Sequence, residues 1–317
     1  MTPPRTPRTL RARGRVSVPE AHRRWLALVD RDGPFLAVPP LVRVYASGMP
    51  PLSEAARQVL RDAKPAFDRA WDAWHEAALD EAARAPGVTR LAPARDGAAP
   101  HAPGPEAPAP TLAAYRAARD TWVRIVLTEV LGWGERYAEA ADAPPELVRR
   151  CTAHSPDGRR AAAPTGLLRA GERVGALVLV VDPVDSLRDP LADGWTASAI
   201  DRMEGMLRAA QAGPDQEACT IGLVTDGRWW AVVSVAPGTM VASGIVDAQT
   251  WTEEPATRDA FAELLGVRRL LGGKSEERLP ALFADSVLAA EEITEALGVQ
   301  VRRAVELLVT AFSEAGR

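Results

Sequence analysis

The sequence predicts an α/β protein with a mixed sheet core, and three observations lead to this prediction. The segment Ile221–Val233 (IGLVTDGRWWAVV) places Asp226-Gly227 between two apolar runs, which is a strong hairpin signal with a type I′ turn. The run Arg173–Val181 (RVGALVLVV) is continuously apolar, as in a strand buried on both faces. Between them, the apolar residues of Ile200–Ala210 have helical spacing, which is typical of a crossover helix.

The N-terminal third is predicted to be helical between two flexible segments. Residues 1–24 form a basic arm, since they hold seven arginines and one glutamate. Residues 25–84 form a helical region, with helices over 21–31 and 53–84, and Pro65 should kink or split the second. Residues 85–110 are a linker rich in proline and alanine.

The α/β domain is predicted over residues 111–270. It opens with a helix from Leu112 to about Leu131 that Gly132 ends, and a helix over Ala256–Leu265 precedes its end. Its sheet is expected to have four or five strands. A helical connector follows over residues 271–317 as a C-terminal helical pair, in which Gly298 separates the two helices.

Composition limits the classes of function. The net charge of −4 over 317 residues gives no global basic field for nucleic acid. No apolar run reaches the ~18 residues needed to cross a bilayer, so no membrane partner is expected. The two cysteines and four histidines have no metal-binding spacing, and no secretory segment is recognisable. We therefore expect a cytoplasmic bacterial protein without structural zinc.

Several motifs resemble a known family when they are taken in order. They are Leu131-Gly132-Trp133, Pro156-Asp157, the strand that ends at Asp182, the Thr225–Trp230 turn (TDGRWW), Trp251–Pro255 and Leu297–Glu306. This order is similar to the N-terminal nuclease-like region of type IIG and DISARM- or BREX-like N6-adenine DNA methyltransferases. In those restriction–modification proteins of phage defence, a PD-(D/E)xK domain is joined by helices to the methyltransferase. The resemblance covers about residues 110–317 and implies a restriction-endonuclease-like sheet core.

The resemblance also indicates where nuclease chemistry would lie. Asp157 and Asp182 match the two acids that hold Mg²⁺, and the residue that should be lysine is Val184. A neutral valine cannot stabilise charge on a phosphate, and Arg188 is a poor substitute on a loop. No catalytic residue and no metal site are therefore expected, and Asp157 and Asp182 are vestigial. An active Mg²⁺ nuclease using these two acids remains the alternative.

Methyltransferase motifs are absent from the chain. It has no Asn-Pro-Pro-Tyr-like tetrapeptide, and Leu271–Lys274 is too short to bind S-adenosylmethionine. This cofactor would belong to the associated methyltransferase, and no cofactor is expected in this chain.

Arginines provide the candidates for nucleic-acid contact. They are Arg149, Arg150, Arg159 and Arg160 near the predicted acids, and Arg228 in the hairpin. The sequence thus favours a non-catalytic part of a phage-defence methyltransferase system that binds DNA or docks to the methyltransferase domain or subunit and to other defence proteins. The third hypothesis is a protein-interaction module with no nucleic-acid role.

Overall fold

The computed structural model describes residues 16–84, 109–212 and 219–315. Two sequence predictions lie mostly outside these ranges. They are the basic arm up to residue 15, with five of its seven arginines, and residues 85–108 of the linker. The rest of the arm is different from the prediction, since helix α1 begins at Val18.

A mixed seven-stranded sheet forms the centre of the protein, so the predicted α/β class is confirmed. The strands lie in the order β1-β9-β8-β7-β6-β5-β2, and every neighbouring pair is antiparallel except β6 and β7. The strands are β1 (Asp30–Asp32), β2 (Tyr137–Glu139), β5 (Gly166–Ala170), β6 (Arg173–Val180), β7 (Ile221–Thr225), β8 (Trp229–Ser234) and β9 (Ala242–Asp247). A separate hairpin pairs β3 (Ala153–His154) with β4 (Ala161–Ala162).

The described helices surround this sheet. They are α1 (Val18–Leu26), α2 (Val38–Val44), α3 (Glu54–Arg84), α4 (Ala109–Ile125), α5 (Pro145–Arg150), α6 (Ala199–Ala210), α7 (Pro255–Leu265), α8 (Val267–Leu270) and α9 (Leu279–Ala315). Helix α4 continues as a π-helical turn to Val130, and Gly132 then adopts a positive φ of 68°, which confirms its predicted role in ending the helix. None of the helices that the structure describes is long and apolar enough to cross a membrane.

The number of strands was predicted too low because the two edge strands, β1 and β2, are only three residues long. Strand β1 consists of Asp30, Arg31 and Asp32, all exposed, and pairs with β9. Charged residues at a sheet edge discourage pairing with other chains, but they remove the alternating apolar pattern that identifies a strand. Because β1 begins at Asp30, the preceding helix α1 ends at Leu26. The helix predicted over 21–31 therefore extended too far. The predicted helical region contributes an edge strand to the sheet.

Two long helices are continuous, although the sequence predicts a kink or split at Pro65 and a separation of two helices at Gly298. Helix α3 contains Pro65, and α9 passes through Gly298, so the C-terminal helical pair is a single helix over this stretch. Proline costs ~3 kcal/mol inside a helix and glycine ~1 kcal/mol. In α3, the burial of Leu60 and Phe67 on either side of Pro65 offsets this cost.

The two faces of the sheet bury separate apolar layers. One layer involves α1–α4 and α7–α9 and includes the fully buried side chains of Trp122, Trp133, Trp230 and Trp251. The other involves α5, α6 and the β3–β4 hairpin. Cys151 and Cys219 are free thiols buried in this second layer. The parallel pair β6–β7, between the two layers, has its carboxyl ends beneath α4.

Candidate functional site at the carboxyl ends of β6 and β7

The candidate site lies where the only parallel pair among the described strands ends. Val180 of β6 pairs with Thr225 of β7, so the two strands finish side by side. Asp182 follows the first strand, and Asp226 follows the second. In α/β sheets, ligands bind outside the carboxyl ends of parallel strands at such a crossover. We therefore consider first what these two carboxylates contact.

Asp182 is bound by two arginines of α4. One carboxylate oxygen accepts a hydrogen bond from Arg116 Nε at 2.8 Å, and the other accepts one from Arg116 Nη2 at 2.5 Å. Arg119 Nη1 lies 3.3 Å from the first oxygen and also donates to the Val181 carbonyl at 2.7 Å. The hydrogen bonds from Arg116 hold the pKa of Asp182 below its usual range, although partial burial opposes this. The carboxylate is thus ionised and paired.

Asp226 is buried and bonded to the backbone. It accepts hydrogen bonds from the amide nitrogens of Trp229 at 2.7 Å, Arg228 at 3.0 Å and Val184 at 3.3 Å. Burial raises its pKa to about 6, and these three donors limit the rise. Its carboxylate therefore fixes the shape of the turn from inside.

The hairpin exists as predicted, but its turn is longer than a two-residue type I′ turn. The last paired residues are Thr225 and Trp230, so four residues connect them. The Asp226 side chain stabilises this wider turn, and Gly227 has a φ of 101°. A Cβ on Gly227 would lie 2.7 Å from the Phe67 ring, which leaves no space for a larger residue.

Aromatic residues of α4 and β8 hold the same turn in place. The Tyr115 hydroxyl donates to the Asp226 carbonyl oxygen at 2.6 Å. The indole nitrogens of Trp122 and Trp230 donate to the Gly227 carbonyl oxygen at 2.9 and 3.0 Å. Because these bonds are buried, they stabilise one position of the turn against α4.

Arg228 contacts three other side chains of the protein, and a quarter of its own side chain remains exposed. Its guanidinium lies 4.9 Å from the ring centre of Trp71 and 4.4 Å from that of Trp229, and it pairs with Asp247 at 3.0 Å. Trp230 points into the core, whereas Trp229 stays half-buried, in agreement with strand alternation. Among the five arginines predicted to contact nucleic acid, Arg228 is the one whose charge is compensated inside the fold.

Asp157 lies in the exposed turn of the β3–β4 hairpin, as the Pro156–Gly158 pattern predicts. One of its carboxylate oxygens accepts hydrogen bonds from the Ser155 hydroxyl at 2.5 Å and from the Arg159 amide at 3.1 Å. The Ser155 bond lowers the pKa of Asp157. In the described ranges, no group of three or more His, Cys, Asp and Glu side chains is arranged to hold a metal ion.

The positions discussed for the nuclease lysine have other contacts. Val184 packs its side chain against the second apolar layer and donates its amide to Asp226. Arg188 bonds to Asp30 at 3.1 Å and to the Ser243 hydroxyl at 2.8 Å, so it holds β1 and β9 to the loop. Arg188 therefore supports the sheet edge.

The four remaining arginine candidates belong to α5 and the neighbouring β3–β4 hairpin. Arg149 and Arg150 end α5, and Arg159 and Arg160 follow the hairpin turn, with all four exposed. Arg149 pairs with Glu146, and Arg159 lies 3.8 Å from Asp157. Exposed pairs of this kind contribute little free energy, so these guanidinium groups can exchange partners with a phosphate.

The sequence interpretation missed Arg116 and Arg119. Their signal was their position on α4, since they lie one turn apart, and Arg119 shares a helix face with the apolar residues Tyr115 and Trp122. An arginine on the buried face of a helix needs an acceptor. Here the acceptors are the Val181 carbonyl and Asp182.

Comparisons of the chain with protein-family models, with curated proteins and with solved structures found no match.

Proposed function

We propose that this chain is a non-catalytic DNA-binding component of a restriction–modification methyltransferase system of phage defence, built on a degenerate restriction-endonuclease-like scaffold. The observation that carries the proposal is the pairing of Asp182 with Arg116 and Arg119. Divalent cations need carboxylate oxygens that are free to coordinate them. In this protein two guanidinium groups already neutralise the central carboxylate.

The contacts of the other vestigial position support the same proposal. Asp157 bonds to Ser155 and Arg159 in its own turn, whereas Asp182 bonds to α4. With Val184 packed in an apolar layer, the three nuclease positions have structural contacts of their own. These residues do not fit a Mg²⁺ site.

The residues that would contact DNA are four exposed arginines, Arg149, Arg150, Arg159 and Arg160. Arginines bind phosphate oxygens without reading sequence, and each contact releases counterions from the DNA. Exposed arginines of this kind support binding to the DNA backbone despite the net negative charge of the chain. The methyltransferase would be the catalytic partner and would bind S-adenosylmethionine.

DNA binding is tested by fluorescence anisotropy of labelled duplexes between 50 and 200 mM salt, a range in which phosphate contacts dominate. R159Q/R160Q should weaken binding equally for unrelated sequences and lower the slope of log K against log salt by about 2. The control R61Q/R69Q removes the same charge from exposed positions of α3 and should leave the slope unchanged. Equal slopes for all three proteins would favour a protein-interaction module without a nucleic-acid role.

Catalysis is tested separately by incubating the protein with supercoiled DNA and Mg²⁺ or Mn²⁺. We expect no cleavage by the parent chain. Metal-dependent cleavage that D182A abolishes would contradict the proposal and establish the nuclease alternative.

A further inference from the structure

His22 of α1 is a buried imidazole that accepts a hydrogen bond. The residue is 1 % exposed. The indole nitrogen of Trp25, one turn later in the same helix, donates to His22 Nδ1 at 3.1 Å. Because an indole N–H can only donate, Nδ1 carries no proton, and the neutral imidazole has its proton on Nε2. This bond therefore exists only while His22 is neutral.

Aromatic and cationic groups of the neighbouring helices surround this imidazole. Helix α1 packs against α2 and α7. The ring centre of Tyr45, which follows α2, lies 6.3 Å from that of His22. The Arg269 guanidinium of α8 lies 4.8 Å from the same tyrosine ring centre. Burial lowers the pKa of His22. A charged imidazole here would share its aromatic neighbour with a guanidinium.

The charged groups on these helices pair with one another. Glu263 of α7 bonds to Arg269 at 2.8 Å, and Glu277 lies 3.4 Å from the same guanidinium. The other pairs that involve α1, α2, α7 and α8 are Glu20 with Arg23 and Arg24, Arg43 with Asp285, Arg258 with Asp259, and Arg268 with Glu277. Among the residues that the structure describes, no carboxylate bonds to His22, so an imidazolium at this position would have no bonded counterion.

We propose that His22 is a pH-sensitive latch, which holds α1 against α2 and α7 while its imidazole is neutral and releases α1 when it is protonated. A proton taken from solvent by Nδ1 turns the acceptor into a second donor that faces the Trp25 N–H, so this hydrogen bond breaks. The resulting cation is buried without a partner, which costs free energy. Opening of α1 exposes it to water, and loss of the proton at higher pH allows the helix to close again.

The packing around α1 favours its opening ahead of the rest of the fold. The helix has nine residues, and no side chain caps its N-terminus. A cavity of about 30 Å³ is lined by Trp25 together with side chains of β8, β9 and α7. A short helix beside a cavity has fewer packing contacts to lose, so its local opening costs less than global unfolding.

The direction of the pH dependence follows from the lowered pKa. A histidine in an unfolded chain has a pKa of ~6.5. With α1 open, His22 binds its proton more tightly than in the closed state. The closed state therefore has its full advantage above pH ~6.5 and loses it as the pH falls below this value.

Hydrogen exchange of the α1 amides in the full chain tests the latch. From about pH 7.5 to about pH 5, their protection factors should fall about tenfold more in the parent than in H22N, since one pH unit of differential proton binding changes an equilibrium tenfold. Asparagine keeps an acceptor oxygen near the position of Nδ1 and does not titrate. H154N, at an exposed histidine of β3, is the control and should follow the parent. An equal pH dependence in the parent and in H22N would overturn the proposal.

Two measurements on the parent chain keep the proposal testable even if H22N does not fold. In low urea, the α1 amides should show lower protection and a weaker urea dependence than those of α6, because a local opening exposes little surface. Identical protection and urea dependence would show that α1 opens only with the whole protein, which would overturn the latch.

Nitrogen-15 spectra of the imidazole provide the second measurement. At pH ~7.5 they should place the His22 proton on Nε2, and His22 should titrate at a lower pH than the histidines of the urea-unfolded chain. A proton on Nδ1, or a titration at the same or a higher pH, would overturn the latch.

Discussion

At the scale of single residues, Asp226 shows how a turn signal becomes a structural constraint. The sequence identifies Asp226-Gly227 as a turn, and in the structure the Asp226 carboxylate also holds that turn in place. It is nearly inaccessible to solvent and accepts three backbone hydrogen bonds, which link the hairpin turn to the loop after β6. Burial of an ionised group with no cation bonded to it makes the stability of the fold depend on pH.

The sign of this dependence follows from the direction of the pKa shift. An aspartate in an unfolded chain has a pKa of ~3.9, and burial raises the pKa of Asp226 to about 6. The folded protein thus binds this proton more tightly than the unfolded chain. The stabilisation is fully present below pH ~4 and is lost as the pH rises through about 6.

Asp226→Asn should remove this loss because the amide does not ionise. Relative to the parent, the free energy of unfolding of D226N should rise by ~3 kcal/mol between pH 4 and pH 8. Urea unfolding of both proteins at a series of pH values measures this difference. Subtracting the parent's free energy of unfolding cancels the contributions of the other titrating groups. D185N, at an exposed aspartate, is the control for the substitution itself. A difference between D226N and the parent that stays constant with pH would refute the role of burial.

At the scale of elements, α6 shows a helix whose start is encoded locally. Thr196 and Ser198 both lie just before α6 and have side chains that can cap a helix. The structure selects Ser198, whose hydroxyl accepts from the Asp201 amide at 3.1 Å while the Asp201 carboxylate accepts from the Ser198 amide at 2.9 Å. This capping box satisfies two amide groups at the start of the crossover helix.

Ser198→Ala should lower the free energy of unfolding by ~1 kcal/mol, because it leaves a helix-terminal amide without its acceptor. Thr196→Ala should change it by less than ~0.5 kcal/mol, since Thr196 is exposed and precedes the cap. Chemical denaturation of both variants checks the assignment. A larger loss for T196A than for S198A would reverse it.

Long helices are the elements that local signals describe least well. Pro65 and Gly298 are residue types that disfavour the interior of a helix, yet α3 and α9 continue through them. Propensity contributes a few kcal/mol at most, whereas packing of residues such as Phe67 contributes more. From Ala290 onward, by contrast, every side chain of α9 that the structure describes is exposed.

At the scale of the whole molecule, the N-terminal helices and the sheet share one core. Phe67 of α3 stacks on Trp122 of α4 with ring centres 5.6 Å apart, and Trp122 bonds to the hairpin turn. Strand β1 extends the sheet from the same N-terminal region. We therefore expect the helices before the linker to unfold together with the sheet.

Phe67→Ala should lower the free energy of unfolding by ~3–5 kcal/mol in a single transition and reduce the hydrogen-exchange protection of β7 and β8 by the same amount. Leu79→Ala on the same helix is the control, since this side chain is half exposed and its loss should cost less than ~1 kcal/mol. Unchanged protection of the β7 and β8 amides in F67A would show that the N-terminal helices are a separate folding unit.

The sequence by itself determined the elements that carry their own signals. The hairpin, the buried strand β6, the crossover helix α6 and the helix end at Gly132 are set by local apolar patterns and turn residues, so they were predictable. Strand β1 was not, because it exists only through pairing with β9.

Only the tertiary structure decided the chemistry of the candidate site. Arg116 and Arg119 are 66 and 63 residues from Asp182 along the chain, and the folding of α4 over the strand ends brings them together. An ion pair between distant residues has no local pattern, because its geometry depends on the packing of whole elements. Asp182, which the resemblance would place at a metal-binding position, is thus an arginine-paired structural residue in the fold.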